Sequence, residues 1–389
     1  MVSNNIGNAL KKYTMVIALV VIIGIFYVGT GGTILLSQNV NNLLSQNAYV
    51  FVLGTGMLLC ILTGGNIDLS VGSVIAFIGG IGAVLLSKGL NVWLTVIIML
   101  LCGIAVGAWQ AFWVAYINVP PFIVTLAGMY AFRGLANVVL NGYAVSISNT
   151  TFLNVFGGGA DCYIPDFFHG EDLNITCIVA GVIAVAILVI VSFRNRIAAT
   201  RKGYAKTGAA PFYAKIAVIS LVILFLAYKL AGYKGVPTSL LWIILIVLAY
   251  HYVTTKTTIG RYLYAVGGNE KATQLSGINT KKVYFFAYTN MGFLAAFAGI
   301  LTVARAASAQ PTYGQFYEMD AIGACFIGGA SAYGGTGSVF GAIIGALLTG
   351  VINQGMLIMG VDANYQKVVK GLVLLAAVIF DVMSKREKK

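Results

Sequence analysis

The chain has 389 residues, of which 59% are hydrophobic and only 9% are charged. Soluble domains typically contain about 25% charged residues, so this chain has too few to cover a water-facing surface. Its formal net charge is +13, but Lys and Arg lie mostly in short loops beside apolar segments. That pattern orients helices in a membrane and argues against nucleic-acid binding. Composition therefore predicts an all-α, polytopic helical membrane protein.

Roughly twelve apolar segments follow one another along the chain. They span residues 14–36, 49–63, 71–87, 91–117, 122–140, 174–193, 215–233, 238–253, 283–303, 321–333, 339–359 and 366–382. Segments 49–63 and 321–333 are too short to cross a bilayer unaided, which favours half-helices shielded by protein. We expect about 10–12 transmembrane or half-membrane helices in one domain over residues 1–389, because no loop is long enough to bury its own core.

The charges of the loops predict the orientation in the membrane. Loop 194–214 is basic without any acid, loop 254–282 carries five basic residues against Glu270 alone, and the tail 385–389 is basic. These regions, and both termini, are therefore expected on the cytoplasmic side. Loop 141–173 contains acids but no Lys or Arg and is expected to be extracytoplasmic. Four lysines near the outer face depart from the rule: Lys229, Lys234, Lys367 and Lys370.

Groups that could support catalysis or metal binding are scarce. His169 and His251 have no companion ligands, and no Cys-x-x-Cys pair exists among the five cysteines. Cys162 and Cys177 flank the acidic loop and could form a disulfide, but Cys177 is expected at a helix start, which disfavours pairing. We predict neither a catalytic site nor a metal site, and no ATP hydrolysis in this chain because it lacks a Walker motif.

Three polar stretches interrupt the apolar segments. In the first, residues 63–73, Asn66, Asp68 and Ser70 could line a solute pathway, or Asp68, Ser70 and Ser73 could simply cap the next helix. In the second, Phe122 and Thr125 follow a Pro-Pro pair, and Arg133 is either a structural hydrogen-bond donor or part of the pathway. The third, residues 304–320, suits a vestibule at Gln310 or a docking surface, or is a plain solvated loop. The candidate docking residues are Arg305, Tyr313, Glu318 and Asp320.

The loop 254–282 contains a short helical stretch that ends at a glycine. A helix of about two turns is unstable alone and needs a partner surface. The alternative is an ordinary amphipathic loop helix. The residues expected to contact a soluble partner are Gly267, Gly268, Asn269, Glu270, Ala272, Ser276 and Gly277.

Four stretches resemble the permease subunits of monosaccharide ABC importers of the ribose, galactose and xylose type, a branch shared with branched-chain amino acid permeases. They are GGNIDLSVGS (64–73), PPFIVTLAGMYAFRG (120–134), GRYLYAVGGNEKATQLSGIN (260–279) and SAQPTYGQFYEMDAIGACFIGGASAYGGTGSVFGAIIGA (308–346). The extra length between residues 141 and 234 is more similar to the xylose or multiple-sugar subtype.

The resemblance implies a location in the bacterial inner membrane and three protein partners. These are a cytoplasmic ATPase that binds ATP and Mg²⁺ and docks on a coupling helix within 267–277, an extracytoplasmic sugar-binding protein, and a second permease copy, most simply a homodimer. This chain itself would hold no cofactor. The alternatives are a branched-chain amino acid or nucleoside permease of the same branch, an ATP-independent secondary carrier, and a membrane enzyme. The last is disfavoured by the lack of a catalytic constellation.

Overall fold

The computed structural model describes residues 2–203 and 208–386, which form sixteen α-helices, one short 3₁₀ helix (Thr33–Leu35) and one short sheet. In chain order the helices are α1 (Val2–Gly29), α2 (Ser37–Gln46), α3 (Ala48–Leu62), α4 (Val71–Ser87), α5 (Val92–Ala115), α6 (Pro121–Leu140), α7 (Thr150–Phe156), α8 (Ile175–Arg201), α9 (Ala209–Ala231), α10 (Thr238–Lys256), α11 (Thr258–Gly268), α12 (Glu270–Leu275), α13 (Thr280–Ala306), α14 (Tyr317–Ile327), α15 (Val339–Ile358) and α16 (Ala363–Arg386). Strands β1 (Val145–Ser146) and β2 (Ser308–Ala309) pair antiparallel. Residues 204–207 of the basic loop and 387–389 of the basic tail lie outside the described residues.

The all-α prediction is confirmed. Within the described residues, seven helices are long and apolar enough to cross a membrane, or eight if the pair α2 and α3, bent by 42°, is one span. Two further apolar helices, Met15–Gly29 and Val71–Ser87, are shorter. The predicted short segments 49–63 and 321–333 form α3 and α14, of 15 and 11 residues. Every residue of α3 is buried, so protein shields this helix as expected for a half-helix.

The centre of the bundle is α13, which packs against α3, α4 and α5. Glycines let the backbones of α5 and α13 touch: a Cβ on Gly292 would overlap Gly103, and a Cβ on Gly107 would meet the carbonyl oxygens of Tyr288 and Thr289 at 2.7 and 2.8 Å. Small residues at helix crossings are the usual means of close packing in lipid, where apolar side chains gain nothing by leaving the solvent.

The hairpin of α8 and α9 lies at the edge of the bundle. The most apolar stretch of α8 is 11% buried and that of α9 is 0% buried. The two helices pack on each other where Gly181 faces Ala227, and the Cys177 thiol donates to the Ala227 carbonyl at 3.3 Å. A helix that is apolar on all sides and unburied by protein is suited to lipid contact. The hairpin is therefore a lipid-facing addition to the core.

The acidic loop 141–173 is built around Asp166. Its carboxylate accepts hydrogen bonds from the amides of Phe168, Gly170, Ile175 and Thr176 and from the Thr176 hydroxyl, at 2.9 to 3.1 Å. Loss of hydration would raise the pKa of Asp166, but the bonds from Gly170, Thr176 and Phe168 outweigh it and hold the pKa below its ordinary value. One carboxylate thus joins the loop to the start of α8.

The two cysteines that flank this loop stay unpaired. Cys162 and Cys177 are both buried free thiols, and Cys177 lies in the first turn of α8, as expected. The disulfide considered for this pair is therefore absent, and the loop is held instead by the Asp166 hydrogen bonds and by bonds to residues 236–238. Among these are Ile164 N to Val236 O and Thr238 N to Cys162 O, both at 2.9 Å.

We expect this loop to lose order in acid. Because the folded-state pKa of Asp166 is lowered, its carboxylate stabilises the loop at every pH above the ordinary value of about 4, and the contribution is lost as pH falls from there toward the lower folded pKa. Asp166→Asn should speed amide hydrogen exchange at residues 166–176 at pH 7, where the wild type is protected. The exposed Asp161→Asn in the same loop is the control, and equal exchange in both variants would contradict the assignment.

Candidate functional site

The predicted partner-binding helix is present as α12. Asn269 caps it, because its side-chain oxygen accepts from the Ala272 amide at 2.9 Å. The helix ends as expected: the Ser276 hydroxyl donates to the Ala272 carbonyl at 2.9 Å, and Gly277 takes a left-handed φ of 81°. Glu270 lies in the first turn, where a negative charge suits the helix dipole. The local sequence therefore fixes both ends of this short helix.

The exposed face of α12 carries an apolar residue that sequence reasoning missed. Leu275 is 88% exposed, whereas Thr273 on the other face is buried. A single exposed leucine is not unusual on a protein surface, but on this short, capped helix it leaves an apolar side chain available for contact. The sequence contains a sign of this contact residue, because Leu275 is apolar in an otherwise polar stretch.

Glu270 connects α12 to the first turns of α13. Its carboxylate accepts from the Tyr284 hydroxyl at 3.1 Å and from the Gln274 amide at 3.3 Å. Gln274 also donates to the Thr280 hydroxyl at 3.0 Å, and Tyr284 interacts with the side chain of Asn66. Glu270 is thus part of an internal network that reaches the polar segment after α3.

Two glycine-rich turns and the end of α11 meet at one place, which we call the glycine junction. Its members are Gly64, Gly65, Gly267, Gly334 and Gly335. All of these except Gly267 have positive φ, between 69° and 124°, a region that favours glycine. The Gly335 amide donates to the Leu62 carbonyl at 3.1 Å, so the end of α3 is joined directly to the turn before α15.

Close backbone contact makes the glycine junction intolerant of side chains. A Cβ on Gly267 would overlap the Leu62 carbonyl oxygen and the Gly335 amide, and one on Gly65 would overlap the Ala332 carbonyl oxygen. Because these neighbours are backbone atoms, they cannot move aside by rotation of a side chain. The junction therefore couples the position of α11, and of α12 directly after it, to α3 and the turn before α15.

The polar segment 63–70 leads from the glycine junction to a buried polar cluster. Asp68 is 2% exposed and accepts from the amide and the hydroxyl of Ser70 at 2.8 and 2.7 Å. Gln110 of α5 donates to the same hydroxyl at 2.6 Å. Ser70 occupies the cap position of α4, but its own side chain makes no cap hydrogen bond. Asp68 instead accepts from the Ser70 amide at the start of the helix.

Gln110 was not predicted, although a single amide in an uninterrupted apolar segment is a recognisable signal. The cluster of Asp68, Ser70 and Gln110 is closed on the α6 side, where a Cβ on Gly128 would approach the Gln110 amide nitrogen to 2.7 Å. In this conformation the three buried side chains form one hydrogen-bonded chain, from Gln110 to Ser70 to Asp68.

The other predicted pathway residues are dispersed. Thr125 is buried, and its hydroxyl donates to the Pro121 carbonyl of its own helix at 2.9 Å. Phe122 is exposed at the start of α6, Asn66 donates to the Thr63 carbonyl at 3.3 Å, and Gln310 donates to the Tyr313 hydroxyl at 3.3 Å. Each of these hydrogen bonds stays within its own segment, and none of them reaches Asp68, Ser70 or Gln110.

Arg133 holds the segment before α14 in place. Its guanidinium donates to the carbonyls of Pro311 and Tyr313 at 2.6 and 2.7 Å. Beside it, Gly314 and Gly72 are packed so closely that a Cβ on either would overlap the other's carbonyl oxygen. The structural interpretation of Arg133 is thus supported, with loop carbonyls as the acceptors.

The predicted docking set needs a correction, because two of its members are buried. Glu318 is 8% exposed and Asp320 is 3% exposed, so neither presents a surface to a partner in this conformation. Asp320 instead forms an ion pair with Lys370 at 2.8 Å and accepts from the Tyr49 hydroxyl at 2.6 Å. Arg305 remains exposed, with a bond to Asn42 at 3.4 Å, and Tyr313 is half-buried.

Comparison with known proteins agrees with this architecture. The family model described as "Branched-chain amino acid transport system / permease component" matches residues 39–378. The xylose transport system permease of Escherichia coli K12 is 36% identical over 97% of this chain and 93% of its own length. The Haemophilus influenzae xylose permease is 38% identical over 97% and 98%, and the E. coli K12 ribose import permease is 36% identical over 88% and 85%. No solved structure matches.

These relatives are transport permeases of the bacterial inner membrane and not enzymes, and the long apolar helices agree with a multi-pass location there. The resemblance identified in the sequence is thereby confirmed. The match over most of the chain shows that the protein belongs to the family of branched-chain amino acid transport system permease components.

Proposed function

We propose that this chain is the membrane-spanning subunit of an ATP-driven importer that carries a monosaccharide, with xylose and ribose as the first candidates. The similarity to xylose and ribose permeases over 88–97% of the chain supports the substrate class. The observation that carries the role is the exposed, capped helix α12, joined to the transmembrane core through the glycine junction. ATP and Mg²⁺ would bind to a separate subunit, and this chain would hold no cofactor.

The proposed coupling residues are Leu275 together with Gly267, Asn269, Glu270, Ala272, Ser276 and Gly277. Gly268 is left out because a Cβ there meets nothing within 4 Å. In this proposal Leu275 and the exposed side of Glu270 to Ser276 contact the ATPase. Closure of the ATPase moves α12, and Gly267 carries that movement to α3 and to the turn before α15. Because the glycine junction is a contact of backbone with backbone, the displacement passes on without being absorbed by side-chain rotation.

The polar cluster is proposed as the part of the pathway that opens. Movement of segment 63–70 would separate Ser70 from Gln110 and offer a carboxylate, a hydroxyl and an amide to the hydroxyls of a passing sugar. Such hydrogen-bonding groups at membrane depth are costly unless they serve a pathway or satisfy one another. Alternating access would then consist of the closed arrangement described above and an open one.

On the opposite side, Arg305 and Tyr313 and the acidic loop 141–173 are proposed to face an extracytoplasmic sugar-binding protein. A second copy of the chain is proposed to complete the pathway as a homodimer. Glu318 and Asp320 are left out of the docking surface because they are buried.

The test is reconstitution in liposomes with the cognate ATPase and binding protein. We expect uptake of labelled xylose or ribose only with ATP inside the liposomes, and competition by the unlabelled sugar. Because the family model names branched-chain amino acids, leucine and a nucleoside serve as rival competitors. Uptake without the ATPase would identify a secondary carrier, and competition by leucine alone would overturn the sugar assignment.

We expect Leu275→Asp to weaken the binding of the ATPase strongly. An apolar side chain at the centre of an interface contributes about 2 kcal/mol, roughly thirtyfold in affinity, and a carboxylate there adds a desolvation cost. Co-purification with the ATPase measures this directly. The exposed Lys281→Ala, at the start of α13 and outside the proposed contact, is the control, and unchanged thermal unfolding of both variants shows that the permease is intact. Full co-purification of the Leu275→Asp variant would remove Leu275 from the interface.

A further inference from the structure

The far end of the α8–α9 hairpin carries an unusual concentration of positive charge. We call this region the basic end and define it by Arg194, Arg196, Arg201, Lys202 and Lys215. Residues 194–215 contain no Asp or Glu. Among the described residues the one ion pair joins Lys370 to Asp320, so none of the five cations is neutralised by a carboxylate of the described chain.

The basic end is not packed on the rest of the protein. The buried residues of α8 are Cys177 and Gly181, and those of α9 are Ala227, Leu230 and Ala231. All of them lie at the opposite end of the hairpin, where it touches the bundle. The hairpin is therefore attached to the rest of the described protein at one end and free of it at the other.

Helix length places the basic end at the level of the lipid headgroups. Residues 175–193 of α8 contain no charged side chain and extend for about 28 Å at 1.5 Å per residue, close to the roughly 30 Å thickness of the hydrocarbon layer. Arg194 and the residues after it consequently fall at the boundary. Lys215 lies on α9 less than one turn closer to the middle of the membrane than Phe212 and Tyr213, which pack against Phe193. Its long side chain can extend back to the boundary.

Aromatic side chains at the same level fit this position. The Phe193 and Phe212 rings meet edge to face at 5.5 Å, and the Arg196 guanidinium lies 4.3 Å from the centre of the Phe212 ring. Aromatic residues are enriched at membrane–water interfaces, and contact with the ring leaves the Arg196 guanidinium positively charged.

We propose that the basic end binds the headgroups of anionic phospholipids, such as phosphatidylglycerol, and that these lipids anchor the free end of the hairpin. The positive-inside rule, by which Lys and Arg accumulate in cytoplasmic loops, assigns this contact to the cytoplasmic leaflet. Phosphate oxygens supply the acceptors and the negative charge that the chain does not provide. This interaction is independent of which solute the protein transports.

The test uses the full-length protein, purified in detergent and titrated with dioleoyl phosphatidylglycerol or dioleoyl phosphatidylcholine, with bound lipids counted by native mass spectrometry. The test variant is the triple change Arg194→Gln, Arg196→Gln and Arg201→Gln. The control is Lys229→Gln with Lys234→Gln, at the opposite end of the hairpin. Each basic residue near a surface contributes about fivefold in binding to anionic lipid, so the loss of three should weaken phosphatidylglycerol binding on the order of a hundredfold.

The control variant should bind phosphatidylglycerol as the wild type does, and phosphatidylcholine binding should change in neither variant. The corresponding triple Arg→Lys variant should retain most of the binding, because it keeps the charge. Unchanged phosphatidylglycerol binding in the Gln variant would overturn the proposal. Loss of a co-purifying protein with lipid binding unchanged would also overturn it, since the basic end would then be a protein-docking surface.

Discussion

Gly267→Ala is expected to lower transport at least tenfold while its neighbour Gly268→Ala leaves transport unchanged. A Cβ on Gly267 would overlap the Leu62 carbonyl oxygen and the Gly335 amide, so α11 must move away from α3 and from the turn before α15. Forced overpacking of this kind typically costs about 1–3 kcal/mol. The shift also displaces α12, which begins three residues later.

The adjacent Gly268 provides a closely matched control for the Gly267→Ala variant. A Cβ there meets nothing within 4 Å, and both substitutions replace glycine by alanine at the end of the same helix, with similar gains in helix propensity. The difference between the variants therefore isolates the contact with the glycine junction. Sugar uptake and ATPase activity in proteoliposomes are the measurements, with co-purification of the ATPase to show that docking persists. Equal transport by the two variants would show that the junction carries no movement.

Lys370→Met is expected to destabilise the protein by about 3 kcal/mol, the typical cost of breaking a buried ion pair on one side. The substitution leaves the Asp320 carboxylate, whose side chain is 2% exposed, with the Tyr49 hydroxyl as its remaining partner. Asp320→Asn should be milder, because the Lys370 side chain is 22% exposed and its ammonium can reach water or headgroups. Asparagine can also still accept from Tyr49.

The double variant Asp320→Asn with Lys370→Met should be close in stability to Asp320→Asn alone, since no charge is then left unpaired. Thermal unfolding in detergent measures all three, and the exposed Lys367→Met on the same helix is the control. If Lys370→Met were as mild as Lys367→Met, the ion pair would contribute nothing to the attachment of α16.

Much of the fold follows from local sequence. The apolar segments predicted at 91–117, 122–140 and 238–253 coincide with α5, α6 and α10, because a span of apolar residues is determined by its own length and composition. The end of α12 at Gly277 was also predictable, since the left-handed conformation at a helix end favours glycine.

The candidate site was predictable only in part. The glycine junction joins residues near 62, 267 and 335. Periodicity in the sequence predicts local helices, but it cannot predict a backbone contact between residues so distant along the chain. The burial of Glu318 and Asp320 was missed for a similar reason. A polar stretch is predicted to be exposed, and Tyr49 and Lys370, the partners that bury Asp320, lie far away in the sequence. In the Asp68 cluster, Asp68 and Ser70 were predicted as candidates, but Gln110 was missed because it lies on another helix.

The complete burial of α3 has a consequence for biosynthesis. At 15 residues it is about 22 Å long, too short to remain alone in a bilayer core of roughly 30 Å. Its Cys60 thiol reaches a carbonyl acceptor 227 residues later in the chain, and its Gly54 carbonyl accepts from a donor 271 residues later. The residues that bury α3 are therefore synthesised long after α3 itself. Final assembly in the membrane must wait for the last third of the polypeptide, and chains released before Thr280 should be substrates for membrane proteases.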